Sequence, residues 1–329
     1  MQRSVLILGG SRFHGYELVK HFCKIGFSVS VLNRGNYRKE YPKGVKHLIC
    51  DRNDAKAFSE IVKDQYYDCV IDNNCYSDQQ MRLSLSCLDN RVEQYIFTSS
   101  VAIYKKLSSE TPCSEDMNLD NSSSELYDPQ VLKYAEEKLA AEKVLIESNT
   151  SFAYTILRVP NIFGPTDIIN KVEYFWARLN DSGKFILEDG INEFSLIFID
   201  DLIKAFSRIC LNPKVYYQVL NVADKHIYTL KTFFSDLFGD LWDTRKVCLI
   251  SVANISISCF SMPFVWGAAV TTEKYKQLCG DVLCTPVRKW LAKWDRAALE
   301  KYKNSKSYTD KRAEEISVLS DMDLYAFNR

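Results

Sequence analysis

The stretch Val5-Leu6-Ile7-Leu8-Gly9-Gly10-Ser11-Arg12-Phe13-His14-Gly15 decides the fold class of this 329-residue chain. Four apolar residues predict a buried strand, and the glycines after them predict a turn that leads into a helix over Tyr16–Gly26. Gly9 lets the chain reverse tightly, and Gly15 lets the helix lie close to the strand. The free N–H groups and the dipole of the helix would face a pyrophosphate, so a dinucleotide site is predicted. A plain strand-to-helix turn is the weaker alternative.

A regular alternation of apolar strands and amphipathic helices follows this stretch. It predicts a doubly wound α/β fold, with a parallel Rossmann sheet covered on both faces. The dinucleotide-binding domain is assigned to residues 1–165 plus 194–224, and a smaller substrate lobe with a tail to residues 166–193 plus 225–329. The predicted strands are Ser28–Leu32, Lys46–Cys50, Cys69–Asp72, Gln94–Thr98, Tyr154–Val159 and Phe194–Ile199, and the helices are Ala55–Lys63, Gln79–Leu88 and Pro129–Ser148.

Composition limits the classes of partner. A formal net charge of zero gives no electrostatic reason to expect nucleic acid or an acidic membrane surface. The eleven cysteines are scattered without a CxxC pair or a histidine cluster, so we expect reduced thiols and neither disulfides nor a metal centre. No secretory segment precedes the first strand, which predicts a cytoplasmic protein.

Three further segments carry structural expectations. The apolar stretch Val247–Val270 contains Asn254, four serines and Pro263, which favours a buried strand, a loop and a short helix over a membrane span. The polar residues 107–130 predict a surface loop. The charged tail from Glu300 onward has little apolar periodicity before Ile316–Leu324, so it is expected either to be partly disordered or to pack late in folding.

Tyr134 and Lys138 lie four residues apart on the longest predicted helix, so their side chains leave the same face. A nearby ammonium favours the phenolate and would lower the pKa of the tyrosine, which could then exchange a proton with a carbinol or carbonyl oxygen. Ser100 follows the predicted strand Gln94–Thr98 at the sheet edge where ligands bind in open α/β folds, and its hydroxyl could contact the same oxygen.

These segments resemble the extended short-chain dehydrogenase/reductases, also called the NAD-dependent epimerase/dehydratase family. The likeness covers about residues 3 to 230, and the sequence Gly-Gly-Ser-Arg-Phe is similar to an atypical branch that has Gly-Gly-Thr-Arg-Phe. That branch includes sugar-nucleotide enzymes and RNA-binding proteins. The likeness is carried by the segments Gly9–Gly15, Tyr95–Tyr104, Tyr134–Lys138, Leu157–Pro165, Phe198–Leu202 and Asn221–Ala223.

The resemblance implies a role for each matching residue. Tyr134 would be the general acid/base, Lys138 its activator and a ligand of the nicotinamide ribose, and Ser100 the group that orients the substrate oxygen. Asn161 would touch the substrate. The implied cofactor-binding residues are Gly9, Gly10, Ser11, Arg12, Phe13, Gly15, Asn33, Arg34, Asp51, Arg52 and Lys138, with Asp51 and Arg52 near the adenine. A homodimer is also expected from the resemblance.

The chain departs from the family pattern at three places. Arg12 replaces the middle glycine, so its side chain must point away for the backbone to approach a pyrophosphate. The strand after the first helix ends in Asn33-Arg34 without a carboxylate, which favours NADP, with NAD as the alternative. Val101-Ala102 stands where the dehydratases carry an acid pair, which makes a 4,6-dehydratase improbable.

The sequence therefore predicts an NAD(P)-dependent enzyme that transfers hydride to or from a carbinol or ketone carbon of a nucleotide sugar, by epimerisation or 4-keto reduction. Two alternatives remain open: a non-catalytic or RNA-binding protein of the same fold, and a reductase of a small non-sugar carbonyl compound.

Overall fold

In the computed structural model, the described residues are 2–37, 40–106, 112–119, 129–181, 183–189, 193–242, 247–251, 268–281 and 284–327. Their strands are β1 (Ser4–Leu8), β2 (Ser28–Asn33), β3 (Lys46–Ile49), β4 (Tyr67–Asp72), β5 (Val92–Ser100), β6 (Ala153–Val159), β7 (Asn161–Phe163), β8 (Phe185–Asp189), β9 (Leu196–Phe198), β10 (Gln218–Asn221) and β11 (Val247–Ser251).

The helices of the same residues are α1 (Phe13–Lys24), α2 (Ala55–Val62), α3 (Asp78–Leu88), α4 (Pro129–Glu147), α5 (Lys171–Leu179), α6 (Ile199–Ile209), α7 (Leu230–Phe238), α8 (Glu273–Cys279), α9 (Arg296–Lys303) and α10 (Lys306–Phe327). None of these helices combines the length and the apolar character that crossing a membrane requires.

Seven parallel strands form the central sheet in the order β10-β6-β5-β4-β1-β2-β3. Alternate residues of β1 enter two different cores: Val5 and Ile7 pack with side chains of α1, whereas Leu6 and Leu8 pack with side chains of α2 and α3. A strand buried on both faces needs an unbroken apolar run, which the sequence supplies. The predicted doubly wound Rossmann sheet is confirmed.

The neighbours β1 and β4 mark the point where the strand order reverses. Loops that leave neighbouring strands in opposite directions open a crevice at the carboxyl edge of the sheet, and ligands of open α/β folds bind in such crevices. The glycine turn after β1 and the loop after β4 both reach this edge, so the fold places the candidate site there.

The predicted strand Phe194–Ile199 is longer than the observed β9 and lies outside the central sheet, because β9 pairs with β7. The chain turns into α6 at Ile199, and Asp200 and Asp201 occupy the first turn, where carboxylates favour the helix dipole. The seventh strand of the sheet is instead β10, which pairs with β6. Periodicity did not reveal β10 because its only apolar residues are Val219 and Leu220.

A second, two-stranded sheet joins β8 and β11 in parallel register. The strand expected at the start of Val247–Val270 is present as β11, but it is not a buried strand as predicted, because Leu249 is exposed. Residues 252–267 lie outside the described residues. Of the polar segment 107–130, residues 107–111 and 120–128 also lie outside them, and Cys113 forms an isolated bridge with Val270.

Of the two alternatives for the tail from Glu300, partial disorder is wrong for the described residues, because α9 and α10 cover most of it. A buried carboxylate anchors α10: Glu315 is 2% exposed and accepts hydrogen bonds from Arg178 Nε at 2.9 Å and Tyr174 Oη at 2.8 Å. Apolar periodicity cannot reveal an anchor of this kind, since the buried contact is ionic.

Candidate active site

A cavity of about 470 Å³ opens at the carboxyl edge of the sheet, beside the face of α4 that carries Tyr134 and Lys138. Its wall brings together the predicted catalytic residues Ser100, Tyr134 and Lys138 and the predicted substrate-binding residue Asn161. The other lining residues are Phe13, His14, Asn73, Tyr76, Thr98, Ser99, Val159, Pro160, Ile162, Asp167, Ile168, Ile169 and Lys171.

Two elements position the three candidate catalytic groups. Ser100 is the last residue of β5, and its hydroxyl accepts a hydrogen bond of 3.1 Å from the Ala102 amide. Tyr134 shares a side-chain hydrogen bond with Ser100. Lys138, one turn further along α4, donates 2.7 Å and 2.9 Å hydrogen bonds to the carbonyls of Cys75 and Thr98. These bonds fix the ammonium, whose nitrogen lies 5.9 Å from the centre of the Tyr134 ring.

The electrostatics of the pair differ from the expectation. Burial raises the pKa of Tyr134 to about 12, against the opposing effect of the Ser100 hydrogen bond. Burial also lowers the pKa of Lys138 to about 8. The prediction that Lys138 lowers the pKa of Tyr134 is therefore wrong in this arrangement, since desolvation of the phenol dominates and the ammonium is committed to backbone carbonyls. Near neutral pH the phenol keeps its proton.

A buried ion pair holds α4 against the sheet. Glu142, one turn beyond Lys138 on α4, accepts a 2.7 Å bond from Arg158 of β6 and a 2.5 Å bond from the Ser99 hydroxyl of β5. Both charged partners are at most 4% exposed. Because β5 also carries Ser100, this contact sets the distance between the serine and the Tyr134 helix.

A second cavity, of about 320 Å³, extends along the same edge past the glycine turn to the ends of β2 and β3. Phe13, His14, Asn73, Tyr76 and Ile168 line both cavities, so the two adjoin. The predicted cofactor residues on the wall of this second cavity are Gly9, Ser11, Arg12, Phe13, Asn33, Arg34, Asp51 and Arg52.

Gly10 and Gly15, also predicted as cofactor residues, lie outside the lining of this cavity and serve packing instead. A Cβ atom on Gly15 would come within 2.2 Å of the Gly9 carbonyl oxygen, and one on Gly10 within 2.8 Å of Val31. Gly9 itself has φ +89°, which favours glycine. The start of α1 can therefore reach the sheet edge closely enough to present its N–H groups to a phosphate, and these residues fit a dinucleotide.

Arg12 satisfies the condition that its position imposes. Its backbone is extended, with φ −142° and ψ 158°, which any residue adopts. Its guanidinium lies over the ring of Tyr37, 4.2 Å from the centre. Arg12 and Tyr37 both line the second cavity, so the guanidinium adds positive charge to its wall.

Arg52 is tied into a buried network. Its guanidinium forms a bidentate pair with Asp72 at 2.6 Å and 2.7 Å, and also donates to Asn74 and Ser84. Arg52 is only 5% exposed, so its charge is largely matched inside the protein. Arg52 therefore connects the loop after β3 to the loop after β4. Its neighbour Asp51 is exposed and also lines the second cavity.

Titratable residues that were not predicted from the sequence also line the first cavity, among them His14, Lys171 and Asp167. Both ring nitrogens of His14 are buried without a hydrogen-bond partner among the described residues, and burial lowers the pKa of His14 to about 4. The imidazole is therefore neutral. Asp167, four residues before the start of α5, forms a buried ion pair with Lys171, the first residue of that helix. A histidine inside the glycine turn was a visible signal, whereas the charged pair had none before the fold was known.

Comparison with known proteins places this geometry in a family. The model of the NAD dependent epimerase/dehydratase family matches residues 5–223, well over half of the chain. The chain belongs to the NAD-dependent epimerase/dehydratase family. The match spans the strands and loops that build both cavities up to the end of β10, and it supports a nicotinamide dinucleotide as the cofactor of this family member.

One curated relative of this epimerase/dehydratase family member is named as a binding protein and not as an enzyme. The chloroplast stem-loop binding protein of 41 kDa b from Arabidopsis thaliana is 26% identical over 242 residues, which cover 69% of this chain and 60% of that protein. The chain thus matches less than two thirds of the length of this curated relative.

Two solved structures share the fold over almost their whole length. The UDP-glucose 4-epimerase of Thermotoga maritima, solved with UDP-glucose, has 16% identity and a TM-score of 0.70, covering 92% of this chain and 99% of that one. The dTDP-glucose 4,6-dehydratase of Bacillus anthracis, in complex with NAD, has 13% identity and a TM-score of 0.69, covering 92% and 97%. At these identities the likeness concerns the fold alone.

Proposed function

We propose that the protein is an NAD(P)-dependent oxidoreductase that acts on a carbinol or ketone carbon of a nucleotide sugar, by epimerisation or 4-keto reduction. The observation that carries the proposal is the meeting of Ser100, Tyr134 and Lys138 on the wall of one cavity, directly beside a second cavity built on the glycine turn. A dinucleotide along the second cavity would bring its reactive end to the shared wall.

The roles of the three residues follow from their positions. A bound nicotinamide dinucleotide would supply the hydride chemistry. Tyr134 holds a proton on its phenolic oxygen, because burial raises the pKa of Tyr134, and delivers it to the substrate oxygen during reduction of a ketone. Ser100 orients the same oxygen by a hydrogen bond. Lys138, fixed by two carbonyls, places positive charge where the phenolate would develop.

The first cavity has a mostly apolar wall with a few polar groups that could orient the hydroxyl groups of a sugar. Its wall carries the amide of Asn161, the neutral imidazole of His14 and the ion pair of Lys171 with Asp167. The names of the two solved relatives mention UDP-glucose and dTDP-glucose, which supports a nucleotide-linked sugar. In this proposal residues 166–193 plus 225–329 form the lobe that holds the substrate, and residues 1–165 plus 194–224 form the cofactor domain.

Elimination of water is a poor fit to this cavity. Val101 and Ala102, which directly follow Ser100, are fully buried and carry no acid or base. A dehydratase must remove a proton from carbon and protonate a leaving hydroxyl, and two groups are needed for that exchange. Epimerisation and ketone reduction need only the tyrosine for proton transfer.

NADP is the cofactor that we propose, because Arg34 is exposed on the wall of the second cavity and no carboxylate follows β2 there. A guanidinium can pair with a 2′-phosphate, whereas NAD offers only a hydroxyl. We expect Arg34→Glu to weaken NADP binding by roughly 10- to 100-fold, from the loss of a charged hydrogen bond, and NAD binding by much less. Titration of both cofactors by tryptophan fluorescence measures this.

The matched control is Arg288→Glu, since Arg288 is an exposed arginine that lines neither cavity. It should change neither affinity. Equal losses of NADP and NAD affinity in Arg34→Glu would remove Arg34 from the proposed role.

The choice between epimerase and reductase can be tested by native mass spectrometry of freshly purified protein. An epimerase regenerates its cofactor in each cycle, so we expect a chain mass increased by one dinucleotide. A reductase must exchange its cofactor in each turnover and is expected to emerge without it. Absence of any NADP(H) or NAD(H) affinity in a follow-up titration would contradict both reactions.

A second candidate function rests on the stem-loop binding relative at 26% identity. An RNA-binding role needs positive charge along a surface, while this chain has no net charge and retains the serine, tyrosine and lysine of an enzyme. A filter-binding assay at several salt concentrations separates the two functions, since RNA affinity that depends on phosphate contacts falls steeply as salt rises.

A further inference from the structure

Three side chains with metal-ligand chemistry meet outside the candidate active site. Asp224 follows β10, His226 lies two residues further on, and Cys284 comes from the segment before α9. The three ligand atoms lie within 4.8 Å of one another. None of these residues lines either cavity of the candidate active site, so nothing in the proposed reaction accounts for them.

The contacts within this cluster are close. The Cys284 sulfur lies 3.1 Å and 3.0 Å from the two carboxylate oxygens of Asp224 and 3.5 Å from Nδ1 of His226. Nδ1 of His226 lies 2.9 Å from the Asp224 carboxylate. A thiol has one proton and is a weak donor, yet two carboxylate oxygens and an imidazole nitrogen surround this sulfur.

Other thiols of the chain behave differently. The sulfur atoms of Cys50, Cys69, Cys75 and Cys87 each contact a carbonyl oxygen at 3.2 to 3.9 Å, as expected of weak donors. Cys284 approaches both oxygens of a carboxylate more closely than any of these contacts. The atoms around the Cys284 sulfur therefore resemble a set of metal ligands more than the surroundings of a thiol that donates one hydrogen bond.

From this geometry we infer that Asp224, His226 and Cys284 bind a divalent transition-metal ion of the zinc class. Carboxylate oxygen, imidazole nitrogen and thiolate sulfur are all ordinary zinc ligands. In a tetrahedral zinc site, sulfur and nitrogen ligand atoms lie about 3.6 Å apart, and nitrogen and oxygen about 3.3 Å. The observed separations are 3.5 Å for sulfur to nitrogen, 2.9 Å for nitrogen to oxygen and 3.0 Å for sulfur to oxygen, so the ligand atoms would move apart by up to about 0.6 Å to admit the ion.

The exposure of the ligands fits an ion that completes its coordination with water. The Asp224 side chain is 3% exposed, whereas that of His226 is 54% exposed. Binding would transfer the thiol proton of Cys284 to solvent and leave a thiolate and a carboxylate to neutralise the cation. His226 would coordinate through Nδ1 in its neutral form and keep its proton on Nε2.

The ion would join two parts of the chain that are distant in sequence. His226 and Cys284 are 58 residues apart. The residue after Cys284 is already held to α6, since the Thr285 amide donates a 2.6 Å bond to Asp201. The bound metal would add a second attachment of this segment, to the end of β10, and so stabilise the fold without taking part in hydride transfer.

The experiment uses the full chain, freed of metal by a chelator and titrated with Co²⁺ as the spectroscopic probe. We expect one Co²⁺ per chain and a near-ultraviolet charge-transfer band from the thiolate, which an equivalent of Zn²⁺ abolishes. Cys284→Ser should lose the band, and His226→Gln should weaken Co²⁺ binding by at least about tenfold, since a loss of one ligand group removes on the order of 1.4 kcal/mol or more.

Cys279→Ser is the matched control, because Cys279 is a partly exposed cysteine of the same region outside the cluster. It should keep the band and a melting temperature that rises with Zn²⁺, while Cys284→Ser and His226→Gln should lose the Zn²⁺-dependent rise. His226 is exposed, so its variant is expected to fold even if Cys284→Ser does not. A wild-type protein without the band, or a band that survives in Cys284→Ser, would overturn the inference. NADP affinity should be unchanged in all three variants, which separates this test from that of the proposed function.

Discussion

Turnover of the Tyr134→Phe variant is expected to fall by about 100- to 10,000-fold, the range that loss of a general acid/base causes. The phenol shares a hydrogen bond with Ser100 at the wall of the first cavity and keeps its proton near neutral pH, because burial raises the pKa of Tyr134 to about 12. Phenylalanine fills the same space without an exchangeable proton. Steady-state kinetics with a nucleotide sugar would measure the loss, and a titration should show nearly unchanged cofactor affinity.

Tyr76→Phe is the matched control, because Tyr76 lines the same cavity. The Lys138 ammonium nitrogen lies 4.9 Å from the centre of the Tyr76 ring. Removal of this hydroxyl should leave turnover within a few-fold of the wild type. Undiminished turnover in Tyr134→Phe would refute the assignment, and a larger loss in Tyr76→Phe would move the proton-transfer role to that residue.

The part of the site that sequence could predict is the part built from local spacing. Tyr134 and Lys138 share a helix face because they are four residues apart, and Ser100 reaches the same edge because it ends a parallel strand. The pKa of Tyr134 could not be predicted in this way, since the sequence shows that an ammonium is near but not that two carbonyls hold it.

The residues that were missed are brought together by long-range contacts. Lys171 and Asp167 become buried only when α5 packs beside the first cavity. Arg52 was named from the sequence as a cofactor residue, but its network could not be predicted, because it forms only when β4 places Asp72 beside it. The cluster of Asp224, His226 and Cys284 shows this dependence on long-range contacts most clearly, because its residues come from segments that no short motif connects. The absence of a metal motif in the sequence therefore said little about this part of the fold.

Long-range contacts also explain why the C-terminal tail is ordered as α10, and loss of its buried carboxylate is expected to reduce stability strongly. Glu315 Oε2 accepts bonds from Tyr174, Arg178 and Arg312, and its Oε1 accepts the Ile186 amide of β8 at 2.7 Å. Arg178 is fully buried. Removal of one partner of a buried ion pair leaves an uncompensated charge, which costs about 3–5 kcal/mol.

We expect Glu315→Ala to lower the free energy of unfolding by about 3 kcal/mol, at the lower end of that range, because Asp181 still lies 2.7 Å from the Arg178 guanidinium and balances part of its charge. Urea unfolding followed by circular dichroism measures the difference. Glu314→Ala is the matched control, since Glu314 precedes Glu315 on α10 but is exposed, and it should unfold like the wild type. Equal stability of the two variants would mean that α10 is held by other contacts and that the ionic anchor contributes little.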